Sequence, residues 1–98
     1  MRRRPLMGEI VDLLRRAAQE MLLDSASPSF QERTRTRDNG EDAVVFLRAW
    51  GRLLIEAALW IEAQQLAGIL SGADILQIMD FHVDVARSYL AEKSAVPA

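Results

Sequence analysis

Residues 41–67 contain no proline, and wound as a helix they are apolar on nearly every side. Ala43, Phe46, Leu47, Trp50, Leu53, Leu54, Ala57, Ala58 and Ile61 recur at helical spacing and form one wide stripe. Val44, Val45, Ile55, Leu59 and Trp60 widen it until only a narrow polar face is left, at Arg48, Arg52, Glu56 and Glu62. Asn39 suits the N-cap, and Glu41 and Asp42 favour the positive end of the helix. Such a helix is roughly 40 Å long, more than a chain of 98 residues needs for its own packing. A helix this apolar must be covered on almost all sides. Two shorter helices of the same chain cover one side, and the other calls for a second molecule. Gly51 costs about 1 kcal/mol against Ala inside a helix, so it either admits another backbone or is simply tolerated.

The flanks read as weaker elements. Residues 1–7 form a loose basic arm. Ile10, Leu13, Leu14, Ala17 and Met21 predict a first helix over 8–23. Residues 24–40 read as a loop dense in Ser, Pro, Asn and Gly, with Phe30 free to tuck onto the core. Gly68 stops the long helix, and 68–72 form a short apolar loop in which Ile69 and Leu70 suit a brief extended pairing. Ser71 and Asp74 resemble a capping box ahead of a third helix over 73–91. Its buried side is marked by Ile75, Ile78, Met79, His82, Ala86 and Tyr89, and 92–98 read as a tail. The expectation is one all-α domain over 8–91.

Composition removes several functions. No cysteine is present, so disulfides, thiolate metal sites and cysteine nucleophiles are excluded together. His82 is the only histidine, and Asp80 and Asp84 point away from it on a helix, so a structural role is expected and no metal. No Gly-rich phosphate loop, nucleophile motif or spaced carboxylate pair occurs, so neither an enzyme nor a cofactor is expected. Arg2, Arg3 and Arg4 resemble the start of a leader, but Glu9 and Asp12 break the stretch that follows. Glu56, Glu62, Gln64 and Gln65 argue against a membrane helix over Leu53 to Leu70. The net charge of −2 divides into +2 over residues 1–40 (eight Arg, six acidic) and −4 over 41–98 (four basic, eight acidic). A chain so charged is a poor general DNA binder, while its basic arm and loop leave a local patch open.

Two stretches carry a resemblance. One runs from Gly40-Glu41 to Leu54-Ile55-Glu56-Ala57-Ala58, and the other is Ile69-Leu70-Ser71-Gly72-Ala73-Asp74-Ile75-Leu76-Gln77-Ile78-Met79. With the order short helix, loop, long helix, short apolar loop, helix, they resemble the histone fold. Within it they are similar to the centromere protein X family, over roughly half the chain. The resemblance implies a head-to-tail heterodimer with a centromere protein S-like histone-fold subunit, in which the long helices cross. It also implies a nuclear location, binding of duplex DNA by the assembled pair, a link to the Fanconi anemia group M translocase in DNA repair, and a place in the kinetochore.

From these readings come the expected sites. First loops of histone-fold pairs lie near DNA, so Arg33, Arg35 and Arg37 are the phosphate candidates, with Arg2, Arg3 and Arg4 as an electrostatic arm. The solvated loop is the bland alternative. The expected partner interface is Phe46, Trp50, Leu53, Leu54, Ala57, Ala58, Trp60, Ile61, Ile69, Leu70, Ile75 and Met79. The rival function is a protein-interaction subunit, of a transcription complex or another helical dimer, without DNA binding.

Overall fold

Five helices build the described residues, which in this computed structural model are 6–35 and 40–95. They are α1 (Met7–Ala26), α2 (Pro28–Arg35), α3 (Gly40–Ala67), α4 (Gly72–Ile78) and α5 (Asp80–Ala95). No strand occurs among the described residues, and the chain is all-α.

Helix α1 is longer than its apolar pattern suggests. The Leu6 carbonyl accepts the amides of Glu9 and Ile10 at its start. At its end the Ser25 hydroxyl donates to the Leu22 carbonyl at 2.8 Å, which lets a buried Ser continue the helix to Ala26. The expected stripe is buried at Ile10, Leu14, Ala17 and Met21, and Val11 and Ala18 join it.

The expected loop over 24–40 is corrected: residues 28–35 form α2. Ser27 and Pro28, which read as loop punctuation, are a helix start, since Pro suits the first helical position. The Ser27 carbonyl accepts the Gln31 amide at 3.0 Å, and the Gln31 side chain donates to the Ser25 carbonyl at 3.0 Å. The short helix lies on α3 and α1, with Phe30 half-buried.

Helix α3 runs antiparallel to α1. Gly51 faces Ala18 and Leu22, whereas Glu62 forms an ion pair with Arg15, further back on α1. A Cβ at Gly51 would stand 2.8 Å from Leu22 Cγ and 3.3 Å from the Ala18 carbonyl oxygen. At Gly51, therefore, α1 packs against α3 with no room for a side chain. Leu54, Ala57, Ala58 and Ile61 follow it into the core. Gly68 ends the helix at φ +69°, a conformation that glycine adopts without a Cβ penalty.

The third expected helix is two helices. Ser71 caps α4, its hydroxyl accepting the Asp74 amide at 3.1 Å. At Met79 the backbone leaves the helical region (φ −93°, ψ 6°), and α5 starts with Asp80 in its first turn. The Met79 amide still reaches the Ile75 carbonyl at 3.0 Å, and Val83 reaches Met79 at 2.9 Å, so the hydrogen bonding continues across the break. The covered side keeps helical spacing across it. Ile75, Met79, Val83 and Ala86 are buried, His82 and Tyr89 are half-buried, and Ile78 is exposed.

Together α4 and α5 run parallel to α1. Gly72 approaches Met7 at one end; at the other, the Tyr89 hydroxyl donates to Asp24. The Lys93 ammonium donates to Glu20 at 2.6 Å and to Asp24 at 2.9 and 3.0 Å. Helix α1 thus lies between α3 and α5, which touch each other little.

This tie makes stability depend on pH at the alkaline end. Burial first, then the hydrogen bond and charge of Asp24, push the Tyr89 phenol up from its usual 10.0. The hydrogen bond to Glu20 leads in raising Lys93 from 10.5, against an opposing effect of burial. Both groups hold their protons more tightly when folded. Their contribution is complete below the unfolded values and is lost as pH rises through the folded ones. The melting temperature is expected to be level up to about pH 10 and to fall above it. Tyr89→Phe is expected to make that fall shallower, as read by circular dichroism melts between pH 8 and about 11.5. An unchanged slope in the variant would contradict the assignment.

Candidate partner-binding surface

Half of the expected interface turns out to be core. Leu54, Ala57, Ala58, Ile61, Ile75 and Met79 are buried within this chain, and no second molecule reaches them while the fold is closed. The expectation undercounted α1, whose 20 residues lie along the inner side of α3 and cover it. The other half faces outward. Phe46, Leu53 and Ile69 are exposed, and Trp50, Trp60 and Leu70 are half-buried at the margin of the core.

The outward residues of α3 form an ordered row. Phe46, Trp50, Leu53 and Trp60, with the buried Ala57, follow a 4-3-4-3 spacing that keeps them on one line along the helix. Because α3 and α5 stand apart, an apolar groove of about 510 Å³ opens beside the first half of this row. Phe46, Leu47 and Trp50 form one wall, Phe81, Val85 and Tyr89 the other, and Met21 of α1 the floor.

Trp50 is the hub of the aromatic contacts. Its ring meets Phe46 at 6.2 Å, Phe81 at 5.7 Å and His82 at 6.2 Å between centroids, each tilted or edge-on as aromatic quadrupoles prefer. Phe46 and Phe81 each keep 65% of their surface in solvent even so. Asp84 and Glu92 stand on the α5 rim, and among the described residues no basic side chain lines the groove. His82 is a packing residue here, and its buried Nδ1 has no hydrogen-bond partner among the described residues. Among the described residues no group of three or more metal-ligating side chains occurs, and no helix is long and apolar enough to cross a membrane.

The molecule is open for its length. Its radius of gyration is 15.3 Å, against about 13 Å for a globular domain of 100 residues. Its accessible surface is 7206 Å², against roughly 5,600 Å² for a folded monomer of 11.0 kDa. Beside a closed core, Phe46, Leu53, Leu59, Leu66, Ile69 and Phe81 keep large apolar side chains in solvent.

Arginines expected at DNA are less defined. Arg33 and Arg35 belong to α2 by backbone, with side chains outside the described residues, and Arg2, Arg3, Arg4 and Arg37 lie outside them altogether. Sequence reasoning missed Phe81 and Val85 as lining residues. A signal was present: Ile78, Phe81 and Val85 repeat at helical spacing beside the chosen stripe. The Tyr89 and Lys93 tie to Asp24 and Glu20 had no local signal, since its partners lie 65 or more residues apart.

Comparison of the chain with protein-family models, curated sequences and solved structures finds no match.

Proposed function

We propose that this chain is a non-catalytic assembly subunit that docks a second polypeptide through the exposed aromatic row of α3 and the groove beside it. The observation that carries this reading is that Phe46, Leu53 and Phe81 are exposed around the half-buried Trp50, beside a core that is already closed without them. In its specific form the subunit is histone-fold-like, resembling the centromere protein X family, and pairs with a centromere protein S-like subunit in the nucleus. The pair then holds duplex DNA through Arg33, Arg35 and Arg37 on its phosphates, with Arg2, Arg3 and Arg4 adding a diffuse attraction, and serves Fanconi anemia repair with the group M translocase and the kinetochore. The 28-residue α3 and the capped helix after it support this form.

The second reading is a protein-interaction module without DNA affinity. Helix α2 favours it, because it turns part of the segment assigned to phosphate binding into packed helix.

A gel shift of the co-expressed pair on duplex DNA separates the two. Phosphate binding is nonspecific and salt-dependent, and the slope of log affinity against log salt falls by about 0.9 for every phosphate that is no longer neutralised. Changing Arg33, Arg35 and Arg37 together to Ala is expected to weaken DNA binding and flatten its salt dependence while the pair stays intact. Unchanged binding rejects the loop assignment, and no shift at all by the wild-type pair selects the second reading.

A further inference from the structure

The groove and aromatic row use one side of α3. A different line of residues marks the opposite side. Val45, Arg48, Arg52, Ile55, Leu59, Glu62 and Leu66 follow a 3-4-3-4-3-4 spacing, so they form a continuous seam about 32 Å long. Every one of them faces solvent to a substantial degree, with Val45 at 62%, Leu59 at 56% and Leu66 at 90%. An isolated solvent-facing helix side has no reason to place four large apolar residues in coiled-coil register.

We propose that a second copy of this chain docks on this seam, with the two α3 helices antiparallel about a two-fold axis near Ala57. The charges choose both the occupant and its direction. In a parallel pair the seam would set Arg48 against Arg48, Arg52 against Arg52 and Glu62 against Glu62, like charge facing like each time. In an antiparallel pair each a position lies opposite a d position of the other helix. One register then sets Ile55 against Leu59 of the copy, twice by symmetry, as an apolar centre. On either side of that centre Arg52 meets Glu62 of the copy, again twice. Beyond these, Arg48 lays its aliphatic stem on Leu66, and Val45 approaches Ile69, which is 84% exposed just past the end of α3. Shifting the helices by one heptad, in the direction that carries the axis to residues 53 and 54, places Arg52 on Ile55 and Val45 on Glu62. That register lacks the complementarity. A sequence that matches itself under a two-fold operation is what an isologous interface requires.

The surface beside the seam fits the same axis. A shallow cleft of about 470 Å³ opens between α1 and α3, lined by Arg15, Gln19, Leu22, Leu23 and Ile55. Leu23 is itself exposed. In the proposed register Leu59 of the copy arrives opposite Ile55, at the mouth of this cleft, so α1 adds area to the interface between helices. Arg15, already bound to Glu62, keeps that carboxylate beside the position where Arg52 of the copy would arrive. This self-association uses none of the aromatic groove residues, so it stands or falls separately from the function proposed above.

Sedimentation equilibrium of the purified full chain, with charge-reversal variants, tests it. The wild-type chain is expected to form a dimer. Arg52→Glu and Glu62→Arg each turn the symmetric attraction across the axis into repulsion, and each is expected to raise the dissociation constant by at least about tenfold. The double variant R52E/E62R restores opposite charges across the axis and is expected to recover most of the original affinity, although it leaves the Arg15 ion pair broken. That recovery separates pairing across the interface from damage to the fold. As a check that does not rely on inverted charge, Arg52→Ala at this exposed site is expected to keep wild-type helicity and weaken the dimer. A wild-type chain that stays monomeric overturns the proposal. So do single variants that dimerise as tightly as wild type, or a double variant no better than the singles.

Discussion

Leu54→Ala is expected to lower the free energy of unfolding by about 3–5 kcal/mol, the largest stability effect of any single truncation in this chain. Leu54 is fully buried, one turn after Gly51, where α1 leaves no room for a side chain. Its buried surroundings include Ala17, Ala18, Ala57 and Ala58, whose short side chains let the two backbones approach. Short neighbours cannot swing in to fill a hole, so most of the removed volume stays as a cavity. Domains of this size have about 5–15 kcal/mol in total, so the variant should lose about a fifth or more of its stability. Urea unfolding followed by circular dichroism measures it, with the midpoint falling and the slope unchanged. A loss under about 1 kcal/mol would mean that the packing of α1 on α3 is not the core of the fold.

The second large effect concerns binding. Phe46→Asp is expected to weaken capture of a groove-docking partner by about 2 kcal/mol or more, close to a thirtyfold rise in Kd. Phe46 is mostly exposed and meets the Trp50 ring edge-on, so the fold should tolerate the change. The aspartate would add a third acidic side chain beside Asp84 and Glu92 in a place now lined by carbon. Isothermal titration with the co-purified partner checks the affinity, and far-ultraviolet circular dichroism checks the fold. Binding unchanged within twofold would remove the groove from the docking surface.

The sequence made α3 legible because a continuous apolar period over Ala43 to Ile61 overwhelms every competing local signal. The Gly68 stop and the Ser71 cap were legible for a similar reason, each being a local backbone requirement met by one residue. Helix α2 was hidden because Ser27-Pro28 signals a turn and a helix start equally well. What decided between them was a side-chain bond from Gln31 to Ser25 and packing on α3. The break at Met79 was hidden because Met is a good helix former, so its own residue type gives no sign of a helix end.

The site was half legible for a related reason. Periodicity says that a residue belongs on an apolar face, but not which molecule covers it. Leu54 and Phe46 look alike in the sequence, yet α1 covers one and leaves the other in water. A count of apolar positions on α3 indicated a surplus. Which positions were surplus depended on the length of α1, and Ser25 carries that helix on to Ala26 by satisfying its own hydroxyl.

Light scattering across a concentration series, on the chain alone and with a centromere protein S-like subunit, tests most directly whether the uncovered side of α3 exists for another polypeptide. A molar mass above the 11.0 kDa of one chain is expected, rising with concentration for the chain alone through the seam at Val45 to Leu66 and reached stoichiometrically with the partner through the groove at Phe46. A single 11.0 kDa species in both series, folded and undisturbed by Phe46→Asp, would contradict it.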